Sequence, residues 1–163
     1  MSLQVITADL ANSAHQAAIV ELLDLYANDV MGNGKPLPVE VKAALPDRLR
    51  AMPTCHVWLA YEGELAVGLV VAFLGFSTFQ AKPLLNLHDV AVRPGHRGGG
   101  IGKQLLAAVE AGARELGCCK MTLEVHGENA VARQVYLKYG FEVGKPPQEF
   151  LSKQLLSLPG DSS

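Results

Sequence analysis

Four glycines, Gly98, Gly99, Gly100 and Gly102, lie between Arg97 and Lys103, just after an apolar run (residues 86–92) and a Pro94-Gly95 turn. Glycines at this density remove the Cβ atoms that keep a ligand off the backbone, so several main-chain amides can converge on one phosphate group. Arg97 and Lys103 bracket the loop with positive charge, and the helix expected from Ile101 onward would aim its positive dipole end at the same point. A second group follows the loop. Asn129, Ala132, Arg133 and Tyr136 stand at i, i+3, i+4 and i+7, one face of a helix, with Val131 and Val135 pointing elsewhere. Ala132 leaves room for a ligand, Asn129 can hydrogen-bond an amide, and the Tyr136 phenol, with an ordinary pKa near ~10, can give a proton. A third is Asp89, set in the apolar stretch NLHDVAV, where an unpaired carboxylate is costly unless it faces a polar site.

The loop does not fit two common phosphate motifs. A P-loop needs glycine where Arg97 stands, and Ser or Thr where Gln104 follows Lys103. A dinucleotide fingerprint counted from Gly98 places Lys103 where a small residue must let helix and strand approach. What remains is Arg97-x-x-Gly100-x-Gly102 after a strand, and this resembles the coenzyme A cradle of the GNAT acetyltransferase superfamily. Residues 129–141, NAVARQVYLKYGF, resemble a later motif of the same family, Asn, a small residue, Tyr and a closing Gly-Phe.

The resemblance covers nearly the whole chain, although residues 1–80 share only the pattern of elements. It implies transfer of an acetyl group from acetyl-coenzyme A, without a metal, to an amine that attacks the thioester directly. It also implies a cofactor site made of Val90, Ala91, Val92, Arg97, Gly98, Gly99, Gly100, Ile101, Gly102, Lys103, Asn129, Ala132, Arg133 and Tyr136. Backbone groups near Val90 and Val92 would pair with the pantetheine arm as with an added strand. An amide near Val90 would stabilise the oxyanion, and Tyr136 would protonate the leaving thiolate. Family members often form dimers, so a homodimer is expected by resemblance alone. FSTFQAKPLLNLHDVAV is similar to the polyamine and thialysine N-acetyltransferases, but His88 replaces the first residue of their Glu-Asp pair.

A neutral amine needs a base, since free amines are mostly protonated at neutral pH. Alternation along residues 87–92 sets Leu87, Asp89 and Ala91 on one sheet face and His88, Val90 and Val92 on the other. Asp89 is the first candidate base and Glu124, on the neighbouring strand, the second. Tyr26, Asp29, Phe76 and Phe79 are candidates for closing an amine pocket. A protein N-terminus or lysine as acceptor, and a coenzyme A-binding domain without turnover, are the competing readings.

These residues require a scaffold, and the chain can supply one. At 163 residues, 49% hydrophobic and 18% charged, it fits one globular domain, here drawn as 1–156 with a flexible tail at 157–163. The opening residues lack a basic start and a continuous apolar run, and no stretch of about 18 apolar residues occurs, so a cytoplasmic location is expected, away from membranes. The net charge of −2 argues against a general nucleic-acid binder. Residues 1–80 hold eight acids and four bases, residues 81–163 eight acids and ten bases, which suits a polyphosphate in the second half. Cys55, Cys118 and Cys119 form no CxxC and read as reduced, mostly buried thiols, and the five histidines show no zinc spacing.

Periodicity predicts a strand at 3–7, helices at 13–30 and 39–50 with Pro46 shortening or kinking the second, and a strand hairpin turning at Glu62-Gly63. A strand at 86–92, a helix at 101–116, a strand at 120–125, a helix at 129–139 and strands near 141–144 and 149–155 follow. The expected fold is α/β, a mixed twisted sheet of about seven strands with about four helices on both faces.

Overall fold

A computed structural model describes residues 2–157. The chain runs β1 (Leu3–Thr7), α1 (Ser13–Asn28), α2 (Val39–Arg50), β2 (Cys55–Glu62), β3 (Leu65–Ser77), β4 (Lys82–Val92), α3 (Ile101–Glu115), β5 (Met121–Leu123) and α4 (Ala130–Tyr139). Five strands form one sheet in sequence order, antiparallel up to β4, with β5 joined parallel to β4.

The unbroken apolar character of β2 and β3 follows from a sheet covered on both faces. Toward α3, Trp58, Ala60, Val70, Ala72, Leu85 and Leu87 pack on Ile101, Leu105, Leu106 and Val109. Toward α1 and α2, Val57, Leu59, Leu69 and Val71 pack on Ile19, Leu22 and Leu49. Local signals set the element ends. The Asn12 side chain accepts from the amides of Ala14 and His15 to start α1, and Gly63, at φ 60°, occupies the first position of the two-residue β2–β3 turn. Two glycines permit close packing. A Cβ on Gly112 of α3 would fall 2.6 Å from Trp58 Cζ2, and one on Gly68 of β3 2.8 Å from Leu105 Cδ1.

The α/β class and the two-sided helical cover match expectation, and several details do not. Pro46 sits inside α2 without ending it, because the helix continues to Arg50. Among the described residues the sheet has five strands, not seven. Residues 142–157, where two more were expected, carry neither helix nor strand and lie exposed, with no strand alongside to complete a ladder. Phe141 still touches the α3-side core, and residues 158–163 of the expected tail lie outside the described residues. Cys55 is buried, which pushes its thiol up to about 11, but Cys118 and Cys119 are only half-buried; all three are free. Among the described residues no helix is long and apolar enough to cross a membrane.

Candidate functional site

Strand β4 carries the site. Its pairing with β5 runs from Leu85↔Met121 to Leu87↔Leu123 and stops there, where β5 itself ends, so beyond Leu87 β4 has no strand partner on that side. On the other side a bulge leaves His88 unmatched, with Leu87 opposite Ala72 and Asp89 opposite Val71. The extra residue resets the alternation expected from sequence. Leu87 now shares the α3 side with Val90 and Val92, while Asp89, opposite Val71, turns toward α1.

Past Val92 the chain is anchored before it enters the glycine loop. The Arg93 amide donates to Val67 O, its Nε donates to Ala66 O at 2.8 Å, and its Nη1 meets Glu21 at 3.1 Å. Gly98 and Gly100 then take φ of 86° and 81°, left-handed backbone turns of the kind that can present successive amides to an anion. Gly100 is also the N-cap of α3. It has no side chain to cap the helix, and the first turn holds no acid, so the leading amides of α3 are left for a ligand. Cβ atoms built on Gly98, Gly100 or Gly102 meet nothing within 4 Å, so the space over these glycines is open. Ile101 is buried in the core and offers only its backbone, while Lys103 is exposed.

Arg97 does not stand free beside this loop. Its Nε donates to Val92 O at 3.2 Å and its Nη2 pairs with Asp29 Oδ2 at 2.8 Å. Asp29 caps the C-terminus of α1, and its other carboxylate oxygen accepts from the Met31 amide at 3.0 Å. That backbone bond, then Arg97, hold the Asp29 carboxyl below the usual range. One ion pair thus joins the glycine loop to the α1–α2 connection.

Tyr26 lies within electrostatic reach of three other titratable side chains, Asp89, Asp29 and Tyr136, drawn from two further elements and a helix cap. Tyr136, on α4, packs edge-on against Phe141 at 5.9 Å, and burial, then the Tyr26 phenol, push it up to about 12. Tyr26, on α1, is raised by burial, then by the charges of Asp89 and Asp29. Burial raises Asp89, and neighbouring His88 partly offsets the effect. The cluster therefore holds one carboxyl with enhanced proton affinity and two phenols that stay protonated at neutral pH.

The structure brings together Tyr26, Asp29, Asp89, Arg97 and Tyr136 and leaves other candidates apart. Glu124 is exposed just beyond β5. Asn129 caps α4, its Oδ1 accepting from the Ala132 amide at 3.2 Å, so only its NH2 remains to meet an incoming group. Ala132 is half-buried and Arg133 exposed, and Val131 and Val135, which the spacing set on a separate face, point to solvent. Phe76 and Phe79 sit exposed at the β3–β4 hairpin end, where Phe76 faces Pro83. At about 3.3 Å per strand residue, this is roughly 20 Å from Asp89, so they do not close a pocket around Tyr26 and Asp29. The Arg97–Asp29 pair was missed, because nothing local links residues 68 positions apart. The bulge at His88 was also missed, since it has no signature in a stretch that alternates plausibly either way.

The model of the acetyltransferase (GNAT) family matches residues 19–141. Streptothricin acetyltransferase of Streptomyces lavendulae is 38% identical over 76 residues, 47% of this chain and 40% of that protein. Aminoglycoside N(6')-acetyltransferase type 1 of Salmonella typhimurium is 34% identical over 38% of this chain and 43% of its own length. Thialysine N-epsilon-acetyltransferase of Bos taurus is 30% identical over 48% and 46%. The chain thus spans less than half the length of these curated relatives. Among solved structures, a probable acetyltransferase superposes with a TM-score of 0.80 at 22% identity, covering 94% of this chain and 99% of its own. An aminoglycoside acetyltransferase bound to a coenzyme A bisubstrate analogue gives 0.76 at 20%, covering 95% and 100%. With the family model spanning β4, the glycine loop and the tyrosine helix alike, the chain belongs to the GNAT acetyltransferase family.

Proposed function

We propose that this chain transfers the acetyl group of acetyl-coenzyme A to a primary amine of a small molecule. The observation that carries the reading is that Tyr26 lies within electrostatic reach of both Asp89 and Tyr136, beside a strand whose edge is free beyond β5 and which leads into the glycine loop. The residues suit the coenzyme. Open space over the glycines at a helix amino end fits a diphosphate, Lys103 adds charge, and the backbone of Val90, Ala91 and Val92 offers a strand edge to the pantetheine arm. Ala132, Asn129 and Arg133 line the α4 side in this reading. When bound, acetyl-coenzyme A supplies the acyl group as an activated thioester.

The chain's own residues handle protons and charge. Ionised Asp89 takes the ammonium proton directly or through water, helped by its raised affinity, and exposed Glu124 is the less apt base. The Val90 amide, next to the bulge, donates to the carbonyl oxygen as negative charge builds there. The Tyr136 hydroxyl, protonated at neutral pH, donates to the departing sulfur. Relatives named for streptothricin and aminoglycosides support a small polar amine as acceptor.

The test is thiol release from acetyl-coenzyme A with a panel of aminoglycosides, diamines and amino acids. Turnover is expected with at least one class, and Tyr136→Phe should slow it about 10-fold or more. No thiol with any amine would overturn the reading, and an unchanged Tyr136→Phe rate would remove the tyrosine from the chemistry.

A further inference from the structure

Two arginines follow β4 and tie the glycine loop to one helix. Arg93 reaches Glu21 on α1 at 3.1 Å, and Arg97 reaches Asp29, the C-cap of the same helix, at 2.8 Å. The two anchors stand about 12 Å apart along the helix axis, with Tyr26 between them.

The ties differ in what they leave over. Arg93 is mostly covered, whereas the Arg97 side chain is 52% exposed. Nε and Nη2 of a guanidinium share one edge, and in Arg97 that edge is filled: Nε donates to Val92 O at 3.2 Å and Nη2 to Asp29 Oδ2. Its Nη1 end makes no hydrogen bond among the described residues. A guanidinium held along one edge is fixed in its plane, so the donors at its open end keep one direction. Asp29 is fixed in turn. Its Oδ1 accepts from the Met31 amide at 3.0 Å, and its backbone oxygen accepts from the amides of Gly32 and Gly34 at 2.9 and 3.1 Å. The Met31 bond, then Arg97, keep the carboxyl ionised at neutral pH. Each carboxylate oxygen already holds a donor, so this acid is engaged before any amine arrives.

We propose that Asp29 is a positioning residue for the cofactor rather than a wall of the amine pocket: it aims the open end of Arg97 at the diphosphate and makes Arg97 the bridge between bound coenzyme A and the α1 segment that bears Tyr26. The inference rests on the coenzyme A reading given above. A long, half-exposed side chain loses its rotamer freedom when it grips a ligand, and one pinned beforehand has little left to lose. Because the bridge is shared, coenzyme A should in return steady the α1–α2 connection, the reciprocity that any coupling between two sites obeys. The sign of the effect separates aiming from bare charge. Removing an anion near a diphosphate should tighten binding by Coulomb's law, whereas removing the group that aims Arg97 should loosen it.

Calorimetry with coenzyme A tests this without an acceptor. Asp29→Asn keeps an oxygen for the Met31 amide and drops the charge facing Arg97, and it should weaken coenzyme A about three- to tenfold while the circular dichroism melt shows a folded protein. In an Arg97→Gln background the same change should leave the affinity where it was. Unchanged or tighter binding by Asp29→Asn would overturn the proposal, as would equal weakening in both backgrounds, which would place the effect outside Arg97. A parent chain that binds no coenzyme A sinks the acetyl-transfer reading and this inference with it; a parent that binds, beside an indifferent Asp29→Asn, sinks this inference alone. Should Asp29→Asn fail to fold, hydrogen exchange of the parent decides: coenzyme A should slow exchange of the Met31, Gly32 and Gly34 amides, and exchange that is unchanged or faster overturns the bridge.

Discussion

Asp89 is useful as a base only if it is ionised when the amine arrives, and its surroundings work against ionisation. Burial raises its pKa, and His88 returns only part of the effect. Because the folded carboxyl holds its proton to higher pH than a free aspartate, the acid limb of kcat/KM should lie above the ordinary carboxylate range of about 3.9. Asp89→Asn should abolish that limb and lower kcat/KM about 100-fold or more, read from a pH–rate profile of both proteins. Stability should follow the opposite sense from a salt-bridged aspartate. The cost of the charged form is absent below the unfolded pKa, grows as pH rises, and is complete above the folded pKa. Asp89→Asn should therefore gain stability relative to the parent at neutral pH over acid pH, measured by urea unfolding at the two values. Asp89 stood out in the sequence because a carboxylate in an apolar strand demands an explanation. Its direction was not, because a bulge shifts every later residue by one face and leaves no mark on composition. Arg97 shows the same limit: its charge beside a glycine loop reads as a phosphate ligand, whereas its guanidinium is bound to Val92 O and Asp29.

At the scale of elements, the loop and helix between Arg97 and Lys103 were legible because glycine spacing reports backbone geometry directly. Gly100 and Gly98 need positive φ, but Gly102 does not, and its Cβ direction is open. These positions separate two effects that one substitution would mix. Gly100→Val forces a branched residue into a left-handed conformation and should cost roughly 1–3 kcal/mol, so any loss of binding is confounded with strain. Gly102→Val meets no neighbour and trades a poor helix former for a better one, so Tm should hold or rise slightly. If α3's leading amides hold the diphosphate, Gly102→Val should still weaken coenzyme A at least about tenfold by calorimetry, since its branches occupy the open space over them. Native affinity in a stable Gly102→Val protein would move the ligand elsewhere. α4 was less legible. Its four-residue spacing correctly joined Ala132 to Tyr136, but Val131 and Val135 face solvent, so apolar identity was a poor guide on this short helix.

The molecule as a whole rests on one sheet with a core on each face, and its order was readable because buried strands such as LAVGLVVAF are continuously apolar while α3 is cleanly amphipathic. The last two expected strands failed for a physical reason: β propensity in residues 149–155 states a preference for pairing and does not name the partner strand. What the sequence also hides is close approach. Gly112 reads as a weak spot in α3, yet its missing Cβ makes room for the rigid ring of Trp58, 2.6 Å from where that atom would be. Two opposing terms then decide Gly112→Ala. Helix propensity favours alanine by about 1 kcal/mol, and overpacking a buried ring costs about 1–3 kcal/mol. The clash should win, with a net loss of about 1 kcal/mol and a Tm lower by roughly 2–4 °C. The cause is tested by the partner. In a Trp58→Phe background the six-membered half of the indole that carries Cζ2 is gone, so Gly112→Ala should become stabilising by about 1 kcal/mol, a coupling of about 2 kcal/mol in the double-mutant cycle. Additive effects would show that α3 shifts away from β2 as a unit, and that the glycine is not what sets their spacing.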